Sequence, residues 1–289
     1  MFAITGITGQ VGSAVAQNLL DRGLPVRAII RDPARSRAWR DKGCEAIIAR
    51  FDDPGALTTA FSGTKGVFVM IPANFAPGPD FSETRTILAS LKRALAQARP
   101  PRIVCLSSIG AHRTSKLGLI TQLHLLETEL AGSAPGFAFL RPGWFMENIS
   151  WDIAPARQTG KMASFLQPLD KPVPMIATAD IGRIAARLLA EEWTGRRVVE
   201  IEGPRRYSPL DLAASLSRNL QRLVTAEVAP RNEWQALFQS QGTADPSPRI
   251  EMLDGFNSDW ICFEGGMAEY VKGETDLDTA VASLAAKPR

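Results

Sequence analysis

Phe2-Ala3-Ile4-Thr5-Gly6-Ile7-Thr8-Gly9-Gln10-Val11-Gly12 is the stretch that decides how this chain reads. The apolar run predicts a strand, the glycines at spacing G-x-x-G-x-x-G predict a tight turn, and a helical pattern follows. Glycine puts no Cβ between backbone and ligand, and the free N–H groups opening a helix carry the positive end of its dipole. Such a unit is expected to seat the pyrophosphate of a dinucleotide. The spacing differs from the commoner G-x-G-x-x-G, so the flanking strand and helix carry much of the weight.

Val11, Val15, Leu19 and Leu20 recur at helical intervals, and Gly23 supplies the C-terminal stop. A second strand over 26–30 ends at Arg31, where an NAD site usually carries an acid that accepts a ribose hydroxyl and repels a 2′-phosphate. Arg31, with Arg35 and Arg37 behind it, predicts NADP, with NADPH preferred over NADH. Asp32 stays available for a ribose hydroxyl.

The chain has 289 residues, 45% hydrophobic and 22% charged, enough for one large domain plus a lobe. Its +3 net charge is the balance of 33 basic and 30 acidic residues, with no basic stripe pointing to nucleic acid. Cys44, Cys105 and Cys262 lack C-x-x-C spacing, which argues against a disulfide framework and for a reducing compartment, with Cys105 in core. No apolar run approaches the roughly 18 residues of a membrane span, and a strand from residue 2 leaves no room for a leader, so the cytoplasm is expected. His112 and His124 form no metal-ligand cluster, and no metal is expected.

Strands over 2–5, 26–30, 46–49, 66–71, 102–107 and 137–140 alternate with helices near 10–22, 34–42, 54–61, 80–98 and 115–132. A further helix from Thr178 to Leu189 and a strand over 198–201 extend the pattern. The alternation predicts an α/β, Rossmann-like doubly wound parallel sheet with a smaller C-terminal lobe. Residues 1–143, completed by about 177–203, form the expected dinucleotide-binding domain; 144–176 and 204–289 form the lobe. Ser208-Pro209-Leu210-Asp211 reads as a capping box, and 241–275 as a loop-rich covering flap bearing Phe256, Trp260 and Phe263.

Thr5 to Gly12, Arg31, Leu106-Ser107-Ser108, Leu140-Arg141-Pro142-Gly143-Trp144-Phe145-Met146-Glu147-Asn148 and Ala179-Asp180-Ile181 together resemble the NmrA-like family of atypical short-chain dehydrogenase/reductases. That family includes NADPH-dependent quinone and azo-compound reductases, and also NAD(P)-binding regulators without catalysis. The resemblance implies that Gly6, Thr8, Gly9, Gln10, Val11 and Gly12 hold the pyrophosphate and Arg31 the 2′-phosphate, with Asp52 facing the adenine. Ile71, Pro72 and Ala73 pass beside the cofactor, and Ser107, Pro142 and Phe145 lie near the nicotinamide. Trp144 and Asn148 are candidate substrate contacts, although Trp144, Phe145 and Met146 also suit a core, and Ser107 a strand-end serine bonding its own backbone.

The wider superfamily passes a proton from a Tyr-x-x-x-Lys pair. Only Tyr207 and Tyr270 occur here, and neither has lysine four positions on. Quinone reduction tolerates that absence, because hydride arrival leaves a hydroquinone anion whose phenolic pKa near 10 accepts a proton from water or a weak acid. His124, oriented by Glu127 three residues on, is the candidate catalytic donor; His112 near the same strand edge is another. An NADPH-dependent quinone reductase and an NADP-sensing regulator with a protein partner both fit. The expected partner is a small-molecule electron acceptor; a homodimer or a regulatory protein is also compatible.

Overall fold

The chain alternates β1 (Phe2–Ile4), α1 (Gln10–Leu20), β2 (Val26–Ile30), α2 (Ser36–Arg40), β3 (Glu45–Ile48), α3 (Pro54–Phe61), β4 (Gly66–Val69), α4 (Ser82–Ala98), β5 (Arg102–Leu106), α5 (Thr121–Leu130) and β6 (Gly136–Pro142). There follow β7 (Trp144–Phe145), α6 (Ile153–Thr159), β8 (Lys161–Ser164), β9 (Met175–Ile176), α7 (Thr178–Ala190), β10 (Gly195–Glu202), α8 (Pro209–Leu220), β11 (Thr225–Val228), α9 (Trp234–Ser240), α10 (Ser247–Asn257), β12 (Glu269–Lys272) and α11 (Leu277–Ala285). The structure, a computed structural model, describes residues 1–286.

Eight strands pair in parallel in the order β12-β10-β6-β5-β4-β1-β2-β3. The winding reverses between β1 and β4, which opens a crevice beyond the strands' carboxyl ends. Successive strand residues face opposite layers. Phe2, Ile4 and Phe68 pack with Val11, Val15 and Leu19 of α1 and Ile181, Ile184 and Leu188 of α7. Ala3, Val67 and Val69 pack with Leu57 of α3, Leu88 and Leu91 of α4 and Leu126 of α5. The α1–α7 contact requires Gly182, because a Cβ there would lie 2.4 Å from that of Ala14.

The second region gathers β7 with β9, β8 with β11, and helices α6, α8 and α11 around Met146, Ile149, Met175, Leu216 and Val281. The Ser208–Asp211 capping box that starts α8 forms as read.

Several expectations are corrected. The helix expected near 115–132 begins only at Thr121, because Lys116 and Gly118 are left-handed and a single tight turn, Gly118–Ile120, precedes it. The one expected over 34–42 is α2 preceded by a short turn, Pro33–Arg35, which the Asp32 carboxylate caps. The strand expected to reach 71 stops at Val69, where the Met70 amide donates to Thr5 Oγ1 at 2.7 Å instead of to a strand partner. The 241–275 stretch is not loop-rich throughout: it contains α10, and β12 returns to the main sheet beside β10. None of the described helices is long and apolar enough to cross a membrane.

Candidate active site

At the crevice, the turn between β1 and α1 brings Gly6 and Gly12 together. A Cβ on Gly12 would lie 2.3 Å from the Gly6 carbonyl oxygen, and Gly6 itself is left-handed, with Met70 where its Cβ would be. Gly9 caps α1 with no side-chain cap bond and no acid in the first turn, and no side chain among the described residues is bonded to the helix's first amides. The opening N–H groups are thus left for an anion. Gly6, Thr8 and Gly9 line the cleft; Gln10 is exposed at the helix start, and Val11 and Gly12 are buried as its packed foundation. A dinucleotide pyrophosphate fits this cradle.

Arg31 lines both the main cleft and a side pocket of about 280 Å³ shared with Thr8, Ile30, Asp32 and Arg35. The Asp32 carboxylate accepts the Ala34 amide at 3.0 Å, so it is engaged in capping while Arg31 and Arg35 flank the pocket. Such a cationic rim suits a phosphate on the adenosine ribose. Asp52 departs from its expected place: it is exposed and forms a two-pronged pair with Arg50, both bonds at 3.0 Å. Ala49 and Phe51, rather than Asp52, line the cleft there.

The main cleft has a volume of about 1220 Å³ and runs from the glycine turn to the second region. Ile71, Pro72 and Ala73 form part of one wall, and Ser107, Pro142, Phe145, Trp144 and Asn148 also line the cleft. The segment from Leu140 to Asn148 builds much of this junction. Arg141 at the end of β6 is buried, donating to Glu127 through Nε at 2.8 Å and Nη2 at 2.7 Å and also pairing with Glu264. Burial opposes its charge, and the Glu127 hydrogen bonds outweigh that, so its pKa moves up. Gly143 is obligatory, since a Cβ would lie 2.4 Å from the Pro174 carbonyl oxygen. Glu147 accepts the Thr178 amide at 2.8 Å and so caps α7, leaving Asn148 on the cleft.

Ser107 Oγ donates to Glu127 Oε1 at 2.5 Å, rather than to its own backbone. That network removes Glu127 from the role expected for it. His124 does not line the cleft, and its Nδ1 lies 2.9 Å from the Ala111 carbonyl oxygen. The helical phase of α5 turns Gln122 and Leu123 to the cleft and His124 aside, so the expected donor pair is not assembled. His112 is also off the cleft wall, and burial, with the charge of Arg141, pushes its pKa down. Tyr207 is buried and accepts the Leu277 amide, Tyr270 donates to Glu202 on the sheet edge, and neither tyrosine lines the cleft.

The far end carries residues with no motif to mark them. Gly118 admits α10 at very close range, where a Cβ would meet the Pro248 carbonyl oxygen at 2.0 Å, and Glu251 of α10 accepts the Gly118 amide at 2.8 Å. This docking brings Arg249 and Met252 onto the cleft beside Trp151, Asp152 and Phe165. Asp152 is the one acid on that wall among the described residues, and burial pushes its carboxyl up to about 7. Phe75 and Trp151 meet edge to face with centroids 6.1 Å apart, joining the β4 loop to the second region.

The NmrA-like family model matches residues 1–245. The chain belongs to the NmrA-like family. It is 28% identical to the NAD(P)H azoreductase of Xenophilus azovorans over 75% of this chain and 73% of that one. It is 27% identical to quinone oxidoreductase 2 of Escherichia coli over 85% and 83%. The crystal structure of the Escherichia coli NADPH-dependent quinone oxidoreductase complexed with NADPH superposes with a TM-score of 0.74 at 25% identity, covering 100% of this chain and 95% of that one.

Proposed function

We propose that this chain is an NADPH-dependent oxidoreductase that transfers hydride to a quinone or similar flat conjugated acceptor without a Tyr-Lys pair. One observation carries the reading: a single cleft joins the glycine turn and Arg31 at one end to an aromatic-rich wall at the other, with no tyrosine between. The azo and quinone reductases it resembles support it.

NADPH supplies the hydride when bound. The amides opening α1 would hold the pyrophosphate, and Arg31 with Arg35 the 2′-phosphate. Ser107, Pro142 and Phe145 border the nicotinamide end, and Ser107 is held in place by Glu127, itself fixed by Arg141. Trp144, Asn148, Trp151 and Phe165 wall the acceptor end and orient a planar molecule for transfer. A protonated Asp152 replaces His124 as the side chain suited to donate a proton, its carboxyl near 7 matching neutral operation.

The test is NADPH and NADH oxidation against a panel of quinones, with cofactor affinity measured in parallel. Turnover that prefers NADPH is expected. Tight NADPH binding with no turnover on any quinone overturns hydride transfer in favour of a cofactor-sensing regulator.

A further inference from the structure

Arg249, third residue of α10, lies on the acceptor end of the cleft, where its guanidinium carbon sits 4.0 Å from the ring centroid of Phe238, 5.8 Å from that of Trp151 and 6.0 Å from that of Phe165. Its one polar partner among the described residues is Gln241 Oε1 at 3.5 Å. Burial pushes its pKa down, and among the described residues no carboxylate lies near enough to restore it. Arg231 shows what a compensated arginine looks like in the same region. It stacks on Trp234 at 5.0 Å and also holds both carboxylate oxygens of Asp254 at 2.7 Å. Aromatic faces attract a cation but do not replace a counter-ion. Arg249 therefore presents an uncompensated fork of donors to the cleft, and such a fork matches a planar or tetrahedral oxyanion.

We propose that Arg249 is an anion receptor, and that the preferred acceptor is a conjugated ring system bearing a carboxylate or sulfonate. The inference rests on the acceptor-binding role given to this end of the cleft above. The stacked rings around Arg249 hold the guanidinium in one orientation, so the oxyanion would fix the acceptor's position in the cleft as well as its affinity. Asp152 on the same wall makes no ion pair with Arg249 among the described residues, so the cation remains open to a ligand.

The experiment is calorimetric binding of three unreactive probes, 2-naphthol, 3-hydroxy-2-naphthoate and 6-hydroxynaphthalene-2-sulfonate, to the full chain saturated with NADP⁺. At least one anionic probe is expected to bind about ten-fold or more tighter than 2-naphthol, as a charge-assisted pair allows. Which anion wins separates carboxylate from sulfonate recognition. Arg249→Met should remove the preference while NADP⁺ affinity is unchanged, and Arg249→Lys should keep part of it. Equal binding of all three probes by the wild-type chain overturns the proposal, as does a preference that survives in Arg249→Met. Because binding needs no turnover, an Arg249-dependent preference in a chain that reduces no quinone supports the receptor while removing the reductase reading. Turnover of quinones with no anion preference does the reverse.

Discussion

The two ends of the cleft are built on different principles. The cofactor end is a short stretch of backbone: Gly6, Gly9 and Gly12 within seven residues, with Arg31 one strand later. The acceptor end is assembled from residues 144–166 and 237–256, brought together by the docking of α10 on Gly118 and by apolar packing. Backbone cradles tolerate almost no substitution, because the space belongs to main-chain atoms that cannot move aside. Side-chain walls tolerate many, which is how one scaffold comes to serve different acceptors.

The hardest break of that contrast is Gly12→Val. Its Cβ would fall 2.3 Å from the Gly6 carbonyl oxygen, so the turn must open. NADPH affinity should fall by about 100-fold or more, equivalent to roughly 3 kcal/mol, in equilibrium titration. Affinity within a few-fold of wild type would mean that the cradle is not the phosphate site.

Next in size is Arg31→Ala, which should weaken NADPH by about 10- to 100-fold, the worth of a charge-assisted phosphate contact. NADH should change by less than about two-fold, since it lacks that phosphate. Equal losses for both cofactors would remove Arg31 from its assigned role.

Asp152→Asn probes the acceptor end through pH. The unfolded carboxyl releases its proton near pH 4, the folded one only near 7, so wild-type stability is intact below pH 4 and declines as pH rises to 7. The asparagine variant lacks this decline. Its melting temperature should exceed that of wild type by several degrees at pH 8, with the gap closing toward pH 4. Parallel melting profiles would place Asp152 in water. If Asp152 donates the proton, the variant's kcat also loses its fall through pH 7.

The smallest expected effect is that of His124→Gln. With His124 off the cleft and engaged at the Ala111 carbonyl, kcat should stay within about two-fold of wild type. A fall beyond ten-fold would restore it to the chemistry.

Where the sequence was readable, the signal was local. Three glycines, a strand before them and a helix after announced the β1–α1 turn, and alternation of apolar runs announced the first six strands. The glutamate capping α7 and the buried Arg141 stood inside a recognisable segment, yet their roles were not legible, since nothing in Leu140 to Asn148 says which partners lie 14 or 31 residues away. The His124–Glu127 spacing did put both on one helix, but Glu127 was claimed by Arg141 and Ser107 from neighbouring strands.

The sequence by itself determined the parallel α/β scaffold, the glycine turn between β1 and α1, the cationic residue after β2 and the absence of a Tyr-x-x-x-Lys pair. Each depends on spacing along the chain or on backbone freedom, which are set before anything packs. Only the tertiary structure decided the acceptor end and its surroundings: Asp152 on the cleft wall, Arg249 among three rings with no counter-ion among the described residues, and Asp52 turned out to Arg50. Those outcomes turn on which distant side chain claims a charge first, and on how much water is left around it. No periodicity records either.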